Sequence, residues 1–280
     1  MINEAASKSG YQMSKIVVDN LRKTYGDTVA LDDVSFEVPA GEFVIILGVS
    51  GSGKSTLLRC MSALTEPTEG QVLIDGEPMT TTRPEVAMIF QQHNIVGDMS
   101  AYSNALSGGI NRTGLLESIF QLHDDEEKQR ALEALDTVGL LDEAEKKGRR
   151  MSGGQQQRVG IARALTQLPE VLLADEPVAS LDPGSAQDVM RYMQHASEER
   201  ALTTFISLHQ VNIARKYGQR FIGLHDGKKV FDGYREDLTI DAVDKIYGEI
   251  DTDGMFVTDE ADTPSDELAD GASKHTEAKP

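Results

Sequence analysis

The run Gly48-Val49-Ser50-Gly51-Ser52-Gly53-Lys54-Ser55 sets glycines, a lysine and a serine between the apolar Phe43-Val44-Ile45-Ile46-Leu47 and the helix-compatible Thr56-Leu57-Leu58-Arg59-Cys60-Met61. These residue types suit anion chemistry. A glycine-rich turn lets successive backbone N–H groups converge on phosphate oxygens, a lysine reaches the terminal phosphates as a point charge, and a hydroxyl beside it can bind Mg²⁺. The flanks are those the mechanism needs, a buried strand before the loop and a helix after it. The loop predicts a nucleotide site in which residues 48–56, Thr56 included, surround the phosphates, with Lys54 the costliest single loss for binding.

Two further segments carry chemistry. Val171-Leu172-Leu173-Ala174-Asp175-Glu176 is an apolar strand that delivers two carboxylates at its C-terminal end, the edge where open α/β sheets bind ligands. Asp175 is suited to holding Mg²⁺, and Glu176 to polarising the water that attacks a γ-phosphate. In Met151-Ser152-Gly153-Gly154-Gln155-Gln156-Gln157-Arg158, a serine and two glycines open a helix, where N–H donors and the positive dipole end face an anion. A plain helix capped by Ser152 would account for the same residues.

Elements that could position these groups follow from the apolar pattern. Lys15 to Asn20 and Val34 to Val38 read as strands of an antiparallel hairpin region. A first helix runs to about Leu64, followed by strands at Gln71 to Ile74 and Val86 to Phe90. The stretch to Arg150 is dominated by helix formers, with Leu132, Leu135 and Val138 as one helix face behind the acids Asp124-Asp125-Glu126-Glu127. A small helical lobe over about 92–150 is expected. Strand and helix then alternate again, with a helix from about Gly184 to Arg200 and a strand at Thr204 to Leu208, so the core sheet should be mostly parallel.

Taken together, these segments resemble the ATP-binding cassette (ABC) ATPases. Met151 to Arg158 is similar to their signature sequence, with Met151 where Leu is most usual. By that resemblance Ser152, Gly153, Gly154 and Gln155 bind the γ-phosphate of ATP held by the other subunit of a head-to-tail dimer. Further positions match the family in order along the chain. Tyr25 matches the aromatic that stacks on adenine, Gln91 the glutamine that touches Mg²⁺ and links the site to a membrane partner, Asp182 the loop crossing the dimer interface, and His209 the histidine that contacts the γ-phosphate. The resemblance spans 14–250, leaving a short extension at 1–13. It implies an α/β P-loop NTPase fold with a mostly parallel core sheet, an antiparallel β subdomain and an inserted helical subdomain. It also implies ATP and Mg²⁺ as cofactors, a second copy of the chain, integral membrane permease subunits, an indirect solute-binding protein, and a peripheral place on the cytoplasmic face of the membrane.

Within that superfamily, Ile89 to Val96, Leu173 to Pro183, Ser207 to Val211 and Phe231-Asp232-Gly233 resemble the ATPase of phosphonate importers, although Asp75 to Glu85 is shorter than in that family. The same engine in another importer or an exporter is the first alternative. A soluble cassette of translation or DNA repair is the second, and the two cassettes or long coiled coil that such proteins carry are missing from this sequence.

Composition sets outer bounds. The 280 residues are 39% apolar, enough for a sizeable core. No apolar run approaches the roughly 18 residues that would span a bilayer, and the first fifteen residues hold no hydrophobic stretch of signal-peptide type, so a cytosolic chain is expected. Cys60 is the only cysteine, which excludes a disulfide framework and reads as a packing residue. Acidic residues outnumber basic ones 46 to 27, a net charge of −19 that argues against nucleic acid as a partner. The one basic run, Lys146-Lys147-Gly148-Arg149-Arg150, reads as a solvated turn. Residues 251–280 hold nine Asp and Glu against two Lys and little to bury, predicting a disordered acidic tail. Two readings of the acidity stand side by side: adaptation to a high-salt cytoplasm, and an ordinary acidic protein with an acidic tail.

Overall fold

The structure, a computed structural model, describes residues 16–91, 94–111 and 125–248, all within one compact unit, 1–250. The expected extension at 1–13 and tail at 251–280 lie outside the described residues.

Two sheets carry the architecture. β1 (Ile16–Tyr25) and β2 (Thr28–Val38) form the expected antiparallel hairpin and continue into β4 (Glu69–Ile74) and β5 (Glu77–Pro78), in the order β2-β1-β4-β5. Along β1 the buried side chains are Ile16, Val18 and then Leu21. The alternation slips by one residue at Asn20, whose φ of 46° marks an irregularity in the pairing.

The larger sheet has the order β10-β9-β3-β8-β7-β6, built from β3 (Phe43–Leu47), β6 (Val86–Ile89), β7 (Val171–Asp175), β8 (Thr203–Leu208), β9 (Arg220–His225) and β10 (Lys228–Tyr234). All its pairings are parallel except β10 on β9. β3, β7 and β8 are buried along their whole length, which is why they read as unbroken apolar runs. Their register decides the site. Leu47 pairs with Leu208, Ser207 with Asp175, and Ala174 with Ile89, so Gly48, His209, Glu176 and Gln91 all leave the sheet at one edge.

A first helix, α1 (Lys54–Met61), starts at the phosphate loop and buries Leu57, Leu58, Cys60 and Met61. Burial pushes the Cys60 thiol up to about 11, so it stays a neutral packing group. A helical lobe follows, with α2 (Ala101–Leu106), α3 (Asp125–Thr137) and α4 (Gly153–Thr166) packed on one another, so that α4, beyond residue 150, closes it.

One expected face needs correction. Leu135 and Val138 are buried, but Leu132 is 40% exposed, and Ala131 and Ala134 take the inner positions instead. Steps of three residues rotate by about 300° rather than a full turn, so three such positions drift about 120° and leave a narrow stripe. The basic run is only partly a solvated turn: Gly148–Arg150 forms a 3₁₀ turn, Arg149 pairs with Asp98, and Lys146 Nζ donates to Gln155 Oε1 at 3.0 Å. Chain order ends with α5 (Pro183–Glu199), α6 (Val211–Tyr217) and α7 (Ile240–Tyr247).

Candidate functional site

The phosphate loop bridges β3 and α1 through backbone conformations that need glycine. Gly48 has φ 155°, and a Cβ there would come within 2.4 Å of the Leu224 carbonyl oxygen and of Ser52 Oγ. Gly53, at φ 104°, is pressed against the Ala30 carbonyl in the same way, which ties the loop to β2. Lys54 is buried, and its Nζ donates to the carbonyls of Gly48 at 2.8 Å and Val49 at 2.9 Å. Burial lowers the Lys54 pKa from its ordinary value, and the nearby charges of Glu176 and Asp175 oppose that shift.

Three strand ends, those of β3, β7 and β8, converge on this lysine. Ser55 Oγ donates to Asp175 Oδ1 at 2.8 Å, and Ser207 Oγ donates to the same oxygen at 2.9 Å. Glu176 follows with φ 49°, a conformation held in part by its N–H donating to Ser207 Oγ at 2.9 Å. The Glu176 carboxylate lies 4.0 Å from Lys54 Nζ and is paired with His209 Nε2. His209 Nδ1 lies 3.2 Å from the Gly48 carbonyl oxygen and 3.4 Å from Lys54 Nζ. Lys54, Ser55, Asp175, Glu176 and His209 are thus one connected set.

A phosphate chain with a hard cation fits this set. Among the described residues Ser52 Oγ, buried in the loop, has no hydrogen-bond partner, leaving a donor for an incoming anion. Among the described residues no group of three or more His, Cys, Asp and Glu could hold a metal by itself. Ser55 Oγ and Asp175 supply only a pair of oxygens, the sparse protein set that Mg²⁺ accepts when substrate phosphates and water provide the rest.

The second anion-binding candidate stands apart. Ser152 caps α4: its Oγ accepts from the Gln155 N–H at 3.3 Å, and Gln155 Oε1 accepts from the Ser152 N–H at 3.1 Å, a reciprocal capping box. A Cβ on Gly154 would sit 2.9 Å from the Ser185 Cβ, so the starts of α4 and α5 abut. Asp182 caps α5, and hydrogen bonds from Ser185 hold its carboxyl below the usual range. Among the described residues no hydrogen bond or ion pair joins Ser152–Gln155 or Asp182 to the Lys54 set.

A family profile described as ABC transporter matches residues 31–179. The chain belongs to the ABC transporter family. It is 64% identical over 249 residues to the phosphonates import ATP-binding protein PhnC of Halobacterium salinarum, covering 89% of both chains. It is 54% identical over 265 residues to PhnC 2 of Haloquadratum walsbyi, a protein of the same description, covering 95% of this chain and 94% of that one. Among solved structures, a nucleotide-free ATP-binding cassette from an ABC transporter is 27% identical with a TM-score of 0.74, over 85% of this chain and 100% of that one. A dimeric ATP-binding cassette in a post-hydrolysis state bound to ADP and Pi is 34% identical with a TM-score of 0.67, over 79% of this chain and 98% of that one.

In this ABC protein, two expected residues lie at the margin of the set. Gln91 is exposed two positions beyond Ile89, level across the sheet with Glu176, and has no hydrogen bond to the set among the described residues. Tyr25 is 48% exposed at the end of β1, its ring 5.1 Å from Lys23 Nζ.

Two polar residues of this ABC protein were not singled out from the sequence. Ser207, fully buried, joins both adjacent acids. Its only sequence signal is a hydroxyl inside the apolar Phe205-Ile206-Ser207-Leu208. Tyr247, thirty-eight residues beyond His209, donates to the His209 carbonyl at 3.0 Å, and nothing local in the sequence signals it.

Proposed function

We propose that the chain is the ATP-hydrolysing subunit of an ABC importer for phosphonates, working as a head-to-tail dimer. The observation that carries this reading is the pairing of Glu176 with His209 directly over the buried Lys54, a base and a γ-phosphate contact held together above the phosphate loop. The names of the 64% and 54% identical relatives support phosphonate as the solute class.

In this reading Gly48 to Thr56 cradle the phosphates, with Lys54 on the terminal ones. Ser55, Asp175 and Gln91 are the residues to hold Mg²⁺, which when bound neutralises charge on the phosphate oxygens. Glu176 takes a proton from the attacking water, and His209 contacts the γ-phosphate. Tyr25 supports the adenine ring. Ser152, Gly153, Gly154, Gln155 and Asp182 face the nucleotide of the opposite copy, because their own chain leaves them apart from its phosphate loop. ATP then bridges two copies, and its hydrolysis releases them, a cycle that separate permease subunits convert into transport at the cytoplasmic face of the membrane, supplied by an external solute-binding protein. Among the described residues no helix is long and apolar enough to cross a membrane, so the spanning part falls to those subunits.

The test is the full-length Glu176→Gln chain with ATP and magnesium, followed by light scattering. An ATP-dependent dimer is expected, and a strict monomer with every nucleotide would overturn the mechanism. For the solute, wild-type chain reconstituted with permease and binding subunits should consume more ATP when phosphonate is added. Stimulation by phosphate or amino acids instead would move the chain to another importer. The net charge of −19 further supports activity in concentrated salt. ATPase activity should rise from low toward molar KCl, and a maximum at low salt rejects that reading.

A further inference from the structure

The far C-terminal helix reaches into the site by one hydroxyl. α7 is capped by Thr239, whose Oγ accepts from the Ala242 N–H at 3.3 Å, and it buries Ala242, Val243, Ile246 and Tyr247. It is seated closely on β9: a Cβ on Gly223 would meet the Ile246 side chain at 2.4 Å, and His225 Nδ1 lies 3.0 Å from the Ile246 carbonyl. That seat leaves little freedom to Tyr247, only 9% exposed, whose O–H donates to the His209 carbonyl at 3.0 Å. Burial pushes the phenol pKa well up, and the nearby Gly48 backbone opposes that shift, so the phenol remains a donor throughout the working pH range. His209 and Gly48 are also in contact through the imidazole. One phenol therefore holds the backbone of His209, whose imidazole in turn meets both the Gly48 carbonyl and the Glu176 carboxylate. Among the described residues, no other donor reaches the His209 carbonyl.

We propose that Tyr247 is a positioning residue for hydrolysis, pinning the His209 backbone against the start of the phosphate loop so that the imidazole stays between Gly48 and Glu176. The assignment rests on the ATPase reading above. It goes beyond it by making turnover depend on a helix that lies past the end of the matched family segment, 31–179.

Tyr247→Phe keeps the ring and removes only the hydroxyl. In the full-length chain it should lower kcat for ATP about three- to tenfold, the scale of one lost hydrogen bond, while KM for ATP changes less than about twofold. The deciding measurement is a double-mutant cycle under single-turnover conditions, with protein in excess over ATP. In a His209→Ala background, Tyr247→Phe should cause no further loss, since the group it positions is gone. An unchanged kcat, an equal fold-loss with and without His209, or a melting temperature far below wild type would each overturn the assignment, the last two in favour of a packing role. A wild-type chain inert toward ATP would overturn the ATPase reading and this one with it, whereas an active wild type with an additive cycle overturns this one alone.

Discussion

Two places in the molecule offer helix-start N–H groups to an anion, and they differ in how far their own chain completes them. At Gly48–Ser55 the loop meets Asp175, Glu176 and His209 from neighbouring strand ends, all linked by hydrogen bonds or ion pairs. At Ser152–Gln155 the turn is satisfied by its own capping box, by Lys146 and by Glu143, and no acid or base of the site reaches it. The difference teaches that a motif can be locally stable and still be half a site. The first region holds the groups that the proposed hydrolysis needs, and the second can supply only donors and a dipole, which suits a surface that meets its nucleotide from another copy.

The strongest way to sharpen this contrast is to disable the chemistry and leave the donors. Glu176→Gln should keep ATP binding and lower turnover by about two or more orders of magnitude, the scale of a lost general base. Unchanged turnover in a phosphate-release assay would remove Glu176 from the role. The next test separates the two regions physically. Lys54→Ala and Gly153→Asp, the latter at an exposed position, should each abolish most ATPase activity. Mixing the two variants should restore part of it, because mixed dimers contain one site built from an intact loop and an intact turn. A mixture as inactive as its parts would break the comparison.

The smallest effect concerns the buried lysine. Its folded pKa lies below the ordinary 10.5 because burial disfavours the charged form. The cation that phosphate needs is therefore fully present only below that lowered value and is lost as pH rises through it. Nucleotide affinity, followed by titration calorimetry, should fall with rising pH before 10.5 is reached. Affinity flat to that point would mean Lys54 does not contribute its charge.

Much of this was legible without coordinates. The loop residues, the acids after Ala174 and the Ser152 cap lie in short segments whose conformation is set by glycine freedom, strand burial and helix capping within a few residues. Fully buried strands announced themselves as apolar runs, and the helix read at about Gly184 to Arg200 runs from Pro183 to Glu199, its start set by an Asp182 cap and a proline. Leu132 was misplaced because a run of three-residue steps looks like one face on paper while the helix rotates away beneath it.

What sequence alone determined, then, is each local device: the phosphate turn, the paired acids, the capped helix starts and the amphipathic strands. Which devices meet was decided only by the tertiary structure. Strand order and register bring Ser207 level with Asp175, and the docking of α7 on β9 brings Tyr247 to His209 across thirty-eight residues. The physical reason is range: turn and cap geometry depend on neighbours in the chain, whereas register and helix docking depend on the packing of side chains far apart in sequence.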